Sequence, residues 1–361
     1  MIHHRLLLMD IGAGTLDILY YDVASHLHYK AVVMSPVRQL AHQIARIPGD
    51  LVITGCEMGG GPVSRILRER AEHGDEIIMS RSAAATLHHH LERVRSWGIK
   101  IVSDQKAEQF IRKGSNTHIE IGDLQIERIA QIVQSFGVPL EFEAVAICAQ
   151  DHGVAPKEVS HLDFRHNLFQ ERLDQTPSPA ALLYAQNEIP ENMNRLISIA
   201  RGARKFPTKE IYVMDSGMAA ILGAGMDPRL LGKKHYLLLD IATSHTVGAA
   251  MSDHIIDGFF EYHTQDITCQ RIEELLRALA DGNISHSKIL SEGGHGAYLR
   301  NAVGFSKMEA IVATGPKRNL LSETKLDIIW GAPLGDNMMT GTIGMLEALR
   351  QRKGISEYLY I

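Results

Sequence analysis

The chain has 361 residues, with 37 Lys and Arg against 42 Asp and Glu, a formal net charge of -5 and 45% hydrophobic residues. That length predicts two core-forming domains of roughly 100 to 200 residues each, and the charge balance excludes a dedicated nucleic-acid binder, which needs clustered Lys and Arg for phosphate contacts. No run reaches the roughly 18 to 20 apolar residues of a membrane span, because Ile211 to Met226 is short and carries Asp215.

The opening MIHHRLLLMD lacks the apolar core and cleavage site of a signal peptide, so a soluble, cytoplasmic protein is expected. Cys56, Cys148 and Cys269 are isolated and far apart, which gives neither a disulfide framework nor a CxxC metal site. Each reads as a small apolar residue.

In chain order, Arg5 to Met9 reads as a strand ending in Asp10-Ile11-Gly12-Ala13-Gly14-Thr15-Leu16-Asp17, and Ile18 to Val23 with His28 to Met34 as a hairpin. A helix follows near Val37 to Ile47, then a strand Leu51 to Thr54, the turn Gly59-Gly60-Gly61, and a helix opening at Pro62. Strands are expected near Glu76 to Met79 and Ile99 to Val102, a helix over Leu124 to Phe136, and a buried strand Ala144 to Ala149 running into Gln150-Asp151-His152-Gly153. Polar residues with Pro177 and Pro179 mark 154 to about 192 as an insertion or lid; Met193 to Ala203 reads as a helix and Ile211 to Met214 as a strand. The small residues of Asp215 to Gly225 predict a helix that packs closely between domains.

The first strand recurs. Leu7-Leu8-Met9-Asp10-Ile11 returns as Leu237-Leu238-Leu239-Asp240-Ile241, each followed by small residues, a threonine (Thr15, Thr246) and a β-rich stretch. Such repetition predicts two related domains. Glycines after a strand-terminal aspartate let backbone N–H groups approach phosphate oxygens. The aspartate itself repels phosphate and suits Mg²⁺ or its water shell. Other phosphate motifs fail: no GxxxxGK[ST] string occurs, and Asp17 stands where a dinucleotide fingerprint needs its third glycine.

These residues resemble the phosphate loop of the actin, Hsp70 and sugar-kinase superfamily. Other elements resemble its parts in their usual order: Asp215 to Gly225 the first connecting helix, Asp240 to Gly248 the second phosphate loop, Ile311 to Pro316 the adenosine motif, and Gly335 to Leu349 the second connecting helix. More narrowly, the chain is similar to a prokaryotic family labelled for pyruvate formate-lyase activation. That activity needs a [4Fe–4S] cluster on grouped cysteines, which Cys56, Cys148 and Cys269 do not provide, so the radical reaction is rejected.

The resemblance implies an α/β, two-lobed actin-like ATPase fold, a duplicated ribonuclease H-like unit: a first lobe at 1–153, an insertion and linking helix at 154–210, and a second lobe at 211–361 whose last helix returns to the interface. It implies ATP and Mg²⁺ in the cleft, with Asp10 and Asp240 as metal-proximal, catalytic carboxylates. Gly12, Gly14, Thr15 and Thr246 would lie at phosphate, and Gly315 and Pro316 against adenosine. Asp151 either orients the attacking nucleophile or caps the next turn. In the second loop Ala242 and Thr243 replace the expected small residues, which puts turnover in doubt.

The expected function is therefore an ATPase or phosphotransferase with a small-molecule acceptor, and the alternative is a nucleotide-responsive scaffold with a protein partner. The Gly59 to Gly61 turn reads as a flexible connector or an anion site, and Glu292 to Gly296 as a mobile loop. His88-His89-His90 reads as a solvated helix face, because neighbours on a helix point about 100° apart. His161, Asp163 and His166 are too loosely spaced to assign.

Overall fold

The computed structural model describes residues 5–114, 116–156 and 158–354. Residues 1–4 of the opening segment and 355–361 of the second lobe lie outside the described residues. The chain starts with β1 (Arg5–Ile11), β2 (Thr15–Asp22) and β3 (Leu27–Met34), an antiparallel meander. The apolar run of β1 is buried along most of its length, as a central strand requires. β3 lies at the edge of its sheet, and its residues are exposed or half-buried.

A separate unit follows, built from α1 (Pro36–Arg46), β4 (Leu51–Gly55), α2 (Gly61–Glu72), β5 (Ile77–Ser80), α3 (Arg81–Ala84), α4 (Leu91–Arg95), β6 (Lys100–Val102), α5 (Asp104–Lys113) and β7 (Thr117–Ile121). Its strands form a parallel sheet ordered β6-β5-β4-β7. Val37, Leu40, Ala41 and Ile44 on α1 meet Leu51, Ile53, Leu67 and Ile77 in a core of its own. The segment expected as the first lobe, 1–153, therefore contains strands of two sheets. Local alternation of strand and helix looks the same whichever sheet a strand joins.

The chain then returns to the first sheet through α6 (Ile126–Ser135) and β8 (Phe142–Ala149), which pairs parallel with β1. Next come α7 (His161–Gln175), β9 (Leu183–Ala185), α8 (Asn194–Ala203) and β10 (Thr208–Met214). The finished sheet has the order β3-β2-β1-β8-β10-β9. Because β10 pairs with β8, the strand Ile211 to Met214 belongs to the first lobe, and the boundary at 211 moves beyond it.

The expected insertion or lid instead contains the fifteen-residue α7, which buries Arg165, Phe169 and Leu173. It ties the lobes together: Asp174 accepts from the Tyr298 hydroxyl at 2.7 Å, and Arg165 bonds Asp215 and Glu261.

After α9 (Ser216–Ala224) come β11 (His235–Ile241), β12 (His245–Ser252), β13 (Ile255–His263), α10 (Cys269–Ala280), α11 (His286–Ser291), β14 (Gly296–Leu299), β15 (Ala310–Thr314), β16 (Ile329–Trp330) and α12 (Thr340–Lys353). The second sheet is ordered β14-β13-β12-β11-β15-β16. Its β13-β12-β11-β15-β16 run repeats β3-β2-β1-β8-β10 strand for strand, with antiparallel pairs on the hairpin side and parallel pairs beyond. This duplication is the two-lobed actin-like ATPase fold, with the β4–β7 unit inserted into the first lobe.

The connecting helices α9 and α12 cross between the lobes. A Cβ on Gly223 would overlap the Thr340 carbonyl, and one on Gly344 the Ala219 carbonyl, so the small residues are there to let two backbones touch. Among the described residues no helix is long and apolar enough to cross a membrane.

Candidate functional site

A cleft of about 970 Å³ opens between the lobes and reaches the inserted unit. The turns after β1 and β11 face it, and they have the same shape: Gly12 N–H donates to the Thr15 carbonyl and Ala242 N–H to the His245 carbonyl, both at 3.0 Å. The replacements at 242 and 243 leave the turn intact. Thr243 meets the first turn, since a Cβ on Gly14 would stand 2.7 Å from its Oγ1. The two turns therefore approach each other at the floor of the cleft.

Asp10 and Asp240 line this floor, with Gly12, Gly14, Thr15, Gly315 and Pro316 around them. Thr314 donates to Asp240 Oδ1 at 2.8 Å, and Gly341, in the first turn of α12, is so close to Asp10 that a Cβ there would overlap its carboxylate. Burial pushes Asp10 up to about 7, an effect increased by the charges of Asp240 and Asp215 and opposed by a hydrogen bond from Cys148. Burial raises Asp240 to about 6, and burial with the Asp10 charge raises Asp17 to about 8. Carboxylates crowded without enough positive charge hold protons instead. A divalent cation would supply the missing charge, and carboxylate oxygens suit a hard one.

Gly315, at φ +91°, packs on the Ile241 backbone, and its carbonyl accepts from Asn337 Nδ2 at 3.1 Å. Thr246 is a correction. It pairs with Ile241 in the ladder, as Leu16 pairs with Ile11, so the counterpart of Thr15 is His245. The Thr246 hydroxyl is buried against Thr264 Oγ1 at 3.0 Å and does not line the cleft. Alignment by residue type was one position out.

Asp151 lines the cleft, but both of its oxygens accept backbone amides, Oδ1 from Gly153 at 2.8 Å and Oδ2 from Leu196 at 3.0 Å. The Gly153 bond closes the turn that follows Asp151, while the Leu196 bond, which the sequence did not suggest, caps the first turn of α8.

The first two glycines of the Gly59 to Gly61 turn are tightly packed, whereas a Cβ on Gly61 would meet nothing within 4 Å. A Cβ on Gly59 would lie 2.9 Å from the Arg195 guanidinium, and one on Gly60 would lie 2.5 Å from the Thr86 carbonyl. His88, His89 and His90 occupy a loop at the cleft wall and not a helix face; His89 Nε2 pairs with Glu57 at 2.8 Å. The Glu292 to Gly296 segment is likewise held, with Gly294 N–H on the Ile289 carbonyl and His295 N–H on that of Glu261.

Sequence reasoning missed a histidine cluster. His245 opens β12, His263 is its direct partner at the end of β13, and His295 immediately precedes β14. One ring nitrogen from each lies within 4.8 Å of the others. His295 Nε2 is 3.0 Å from His263 Nε2, and His295 Nδ1 is 3.4 Å from Glu261 Oε1. Burial lowers His245 to about 4 and also lowers His263 and His152, so the rings favour the neutral state. Residues 18 and 32 apart carry no local motif, and pairing β12 with β13 about the Asp253-His254 turn would have set His245 opposite Tyr262, because a register shift between Ala250 and Met251 is what brings His263 across from it. Farther out on α7, Asp163 reaches His286 Nε2 at 3.0 Å, and the His166 ring stacks on His286 with centroids 3.7 Å apart.

The profile of the family described as "Putative pyruvate format-lyase activating enzyme (DUF1786)" matches residues 58–320. The chain belongs to this family. In this DUF1786 protein the matched stretch includes Asp240, Gly315 and the three histidines, while Asp10 precedes it.

No curated protein matches. Among solved structures, the chain is similar to the ethanolamine utilization protein EutJ from Carboxydothermus hydrogenoformans (10% identity, 97% of this chain and 90% of that one, TM-score 0.36). It is also similar to the activator of 2-hydroxyisocaproyl-CoA dehydratase from Clostridium difficile with bound ADPNP (10%, 98% of each chain, 0.33) and to the PilM-PilN type IV pilus biogenesis complex (11%, 96% and 98%, 0.38). The strand orders, not these low scores, carry the fold of the DUF1786 chain.

The cysteines of this DUF1786 protein stand in the loop after β4, within β8 and at the start of α10. None belongs to the cluster of three metal-capable side chains found among the described residues. Standing on three separate elements, they do not fit the grouped-cysteine pattern of an iron–sulfur cluster.

Proposed function

We propose that this chain binds a nucleotide with Mg²⁺ in the inter-lobe cleft and hydrolyses it or transfers its terminal phosphoryl group to a small-molecule acceptor. The observation that carries this reading is the pair of aspartate turns closed by the same backbone hydrogen bond, one from each lobe, converging on one cleft floor. Asp10 and Asp240 would hold Mg²⁺, which would neutralise phosphate charge when bound. The turn amides around Gly12 and Gly14 and the hydroxyl of Thr15 would hold phosphate, and Gly315 with Pro316 would flank the base and sugar.

A second reading, a nucleotide-responsive scaffold that does not turn nucleotide over, is favoured by Asp151. Each of its oxygens already accepts a backbone amide, one of them as the cap of α8, which makes this carboxylate less free to take a proton from a nucleophile.

The test is thermal melting with Mg-ATP, repeated on Asp10→Asn, together with an assay for ADP. Binding to the native state raises the melting temperature. The expected result is a rise in the wild type that is lost in Asp10→Asn; no rise in the wild type overturns the nucleotide site. ADP release, alone or only with an acceptor, distinguishes the enzyme from the scaffold.

A further inference from the structure

We propose that His245, His263 and His295 form a binding site for one divalent transition-metal ion of the zinc type, set in the second-lobe wall of the cleft. Zinc takes imidazole nitrogens at about 2.0–2.1 Å in tetrahedral geometry, which places neighbouring ligand atoms roughly 3.3 Å apart. His295 Nε2 and His263 Nε2 are already 3.0 Å apart, and the third ring lies within the same 4.8 Å group. Small side-chain rotations close the set.

Three further observations point to a ligand. His245 Nε2 is buried with no hydrogen-bond partner, and so is Nδ1 of the neighbouring His152, whose ring centroid is 5.5 Å from that of His295. Buried polar atoms left this way are uncommon and call for an occupant.

Next, a metal-bound histidine usually presents its other ring nitrogen to a carboxylate, which fixes the tautomer and the ring. Glu261 is placed for this: its Oε1 lies 3.4 Å from His295 Nδ1, which makes no hydrogen bond as the rings stand, and Arg165 on Oε2 and the Gln150 amide on Oε1 hold the carboxylate in place.

Finally, His245 and Glu261 line the cleft whereas the body of the cluster lies behind them. Three protein ligands with an open side are the pattern of a reactive zinc site rather than a closed structural one. The open position takes water or an anionic oxygen, phosphate or carboxylate, of the cleft occupant. His245 is also the counterpart of Thr15, so at this position the second turn has an imidazole where the first has a hydroxyl.

The experiment strips the full chain with a chelator and titrates it with Zn²⁺ by calorimetry and with Co²⁺ by visible absorption. The expected result is a single ion per chain, with a tetrahedral cobalt spectrum and no thiolate charge-transfer band. Affinity should be lost in His263→Ala and His245→Ala, and reduced roughly 10–100-fold in Glu261→Gln, the loss typical of an outer-shell partner. Asp10→Asn should bind Zn²⁺ as the wild type does, which separates this site from the nucleotide reading. Circular dichroism of the stripped variants checks their fold, and the cobalt spectrum of the wild type tests ligand type without a substitution. Absence of stoichiometric binding by the wild type, a thiolate band, or undiminished binding by folded His263→Ala overturns the proposal.

Discussion

Asp17 faces Asp10 across the β1–β2 ladder, and its Oδ1 is buried without a hydrogen-bond partner. Burial, then the Asp10 charge, raises it to about 8. An unfolded chain releases that proton near pH 3.9. Between about pH 4 and pH 8 the folded state therefore binds the proton that the unfolded state has lost, and this group's contribution to stability falls as pH rises through the window. Asp17→Asn keeps the shape and removes the charge. In metal-free buffer its melting temperature should exceed that of the wild type at alkaline pH, by about 2–4 °C per kcal/mol relieved. The advantage should disappear as pH falls towards 4; a difference that does not vary with pH would refute the account. Asp17 was legible in the sequence only as part of a loop, because its neighbour across the ladder is set by strand pairing.

At the scale of elements, α9 and α12 meet through Gly223 and Gly344, where an added Cβ would overlap the opposing backbone. In an isolated helix Gly→Ala gains about 1 kcal/mol. Gly344→Ala should do the opposite here, since overpacking against backbone that cannot yield costs typically about 1–3 kcal/mol. A lowered melting temperature confirms the contact; a raised one sinks it. The run of small residues at Ser216 to Gly225 made this helix readable, because small side chains at consecutive positions have few purposes besides close approach. The aspartate turns were readable for a similar reason: strand, Asp, small residues and strand lie within ten positions.

α7 was not readable. Its buried side carries Arg165, paired with Asp215 and Glu261 from elsewhere in the chain, so its sequence looks polar although the helix is a structural tie. The β4–β7 sheet was hidden for a complementary reason. Strands matching β4, β5 and β6 and helices matching α1 and α2 were expected, but not β7 or α5, nor that β8 passes the whole unit over to pair with β1.

For the whole molecule, three units surround one cleft, and a buried ion pair lies at the junction of the inserted unit with the first lobe. Arg195 on α8 makes a two-pronged pair with Asp123 at 2.8 and 3.0 Å and donates to the Gln150 carbonyl at 2.7 Å. Asp123 in turn accepts from Gly59 N–H at 3.3 Å, so the inserted unit's Gly turn and the first lobe share one buried ion pair. Removing one partner from such a pair leaves a buried charge uncompensated, at a cost of about 3–5 kcal/mol.

Because the inserted unit has its own core, Arg195→Met should release the junction without unfolding that core. Hydrogen exchange should then accelerate at 56–61 and 122–125, while β4 and β5 keep wild-type protection. Equal acceleration across β1 and β8 would show that Arg195 stabilises the first lobe as a whole. No acceleration at the Gly turn would show that packing, not the ion pair, positions this wall of the cleft.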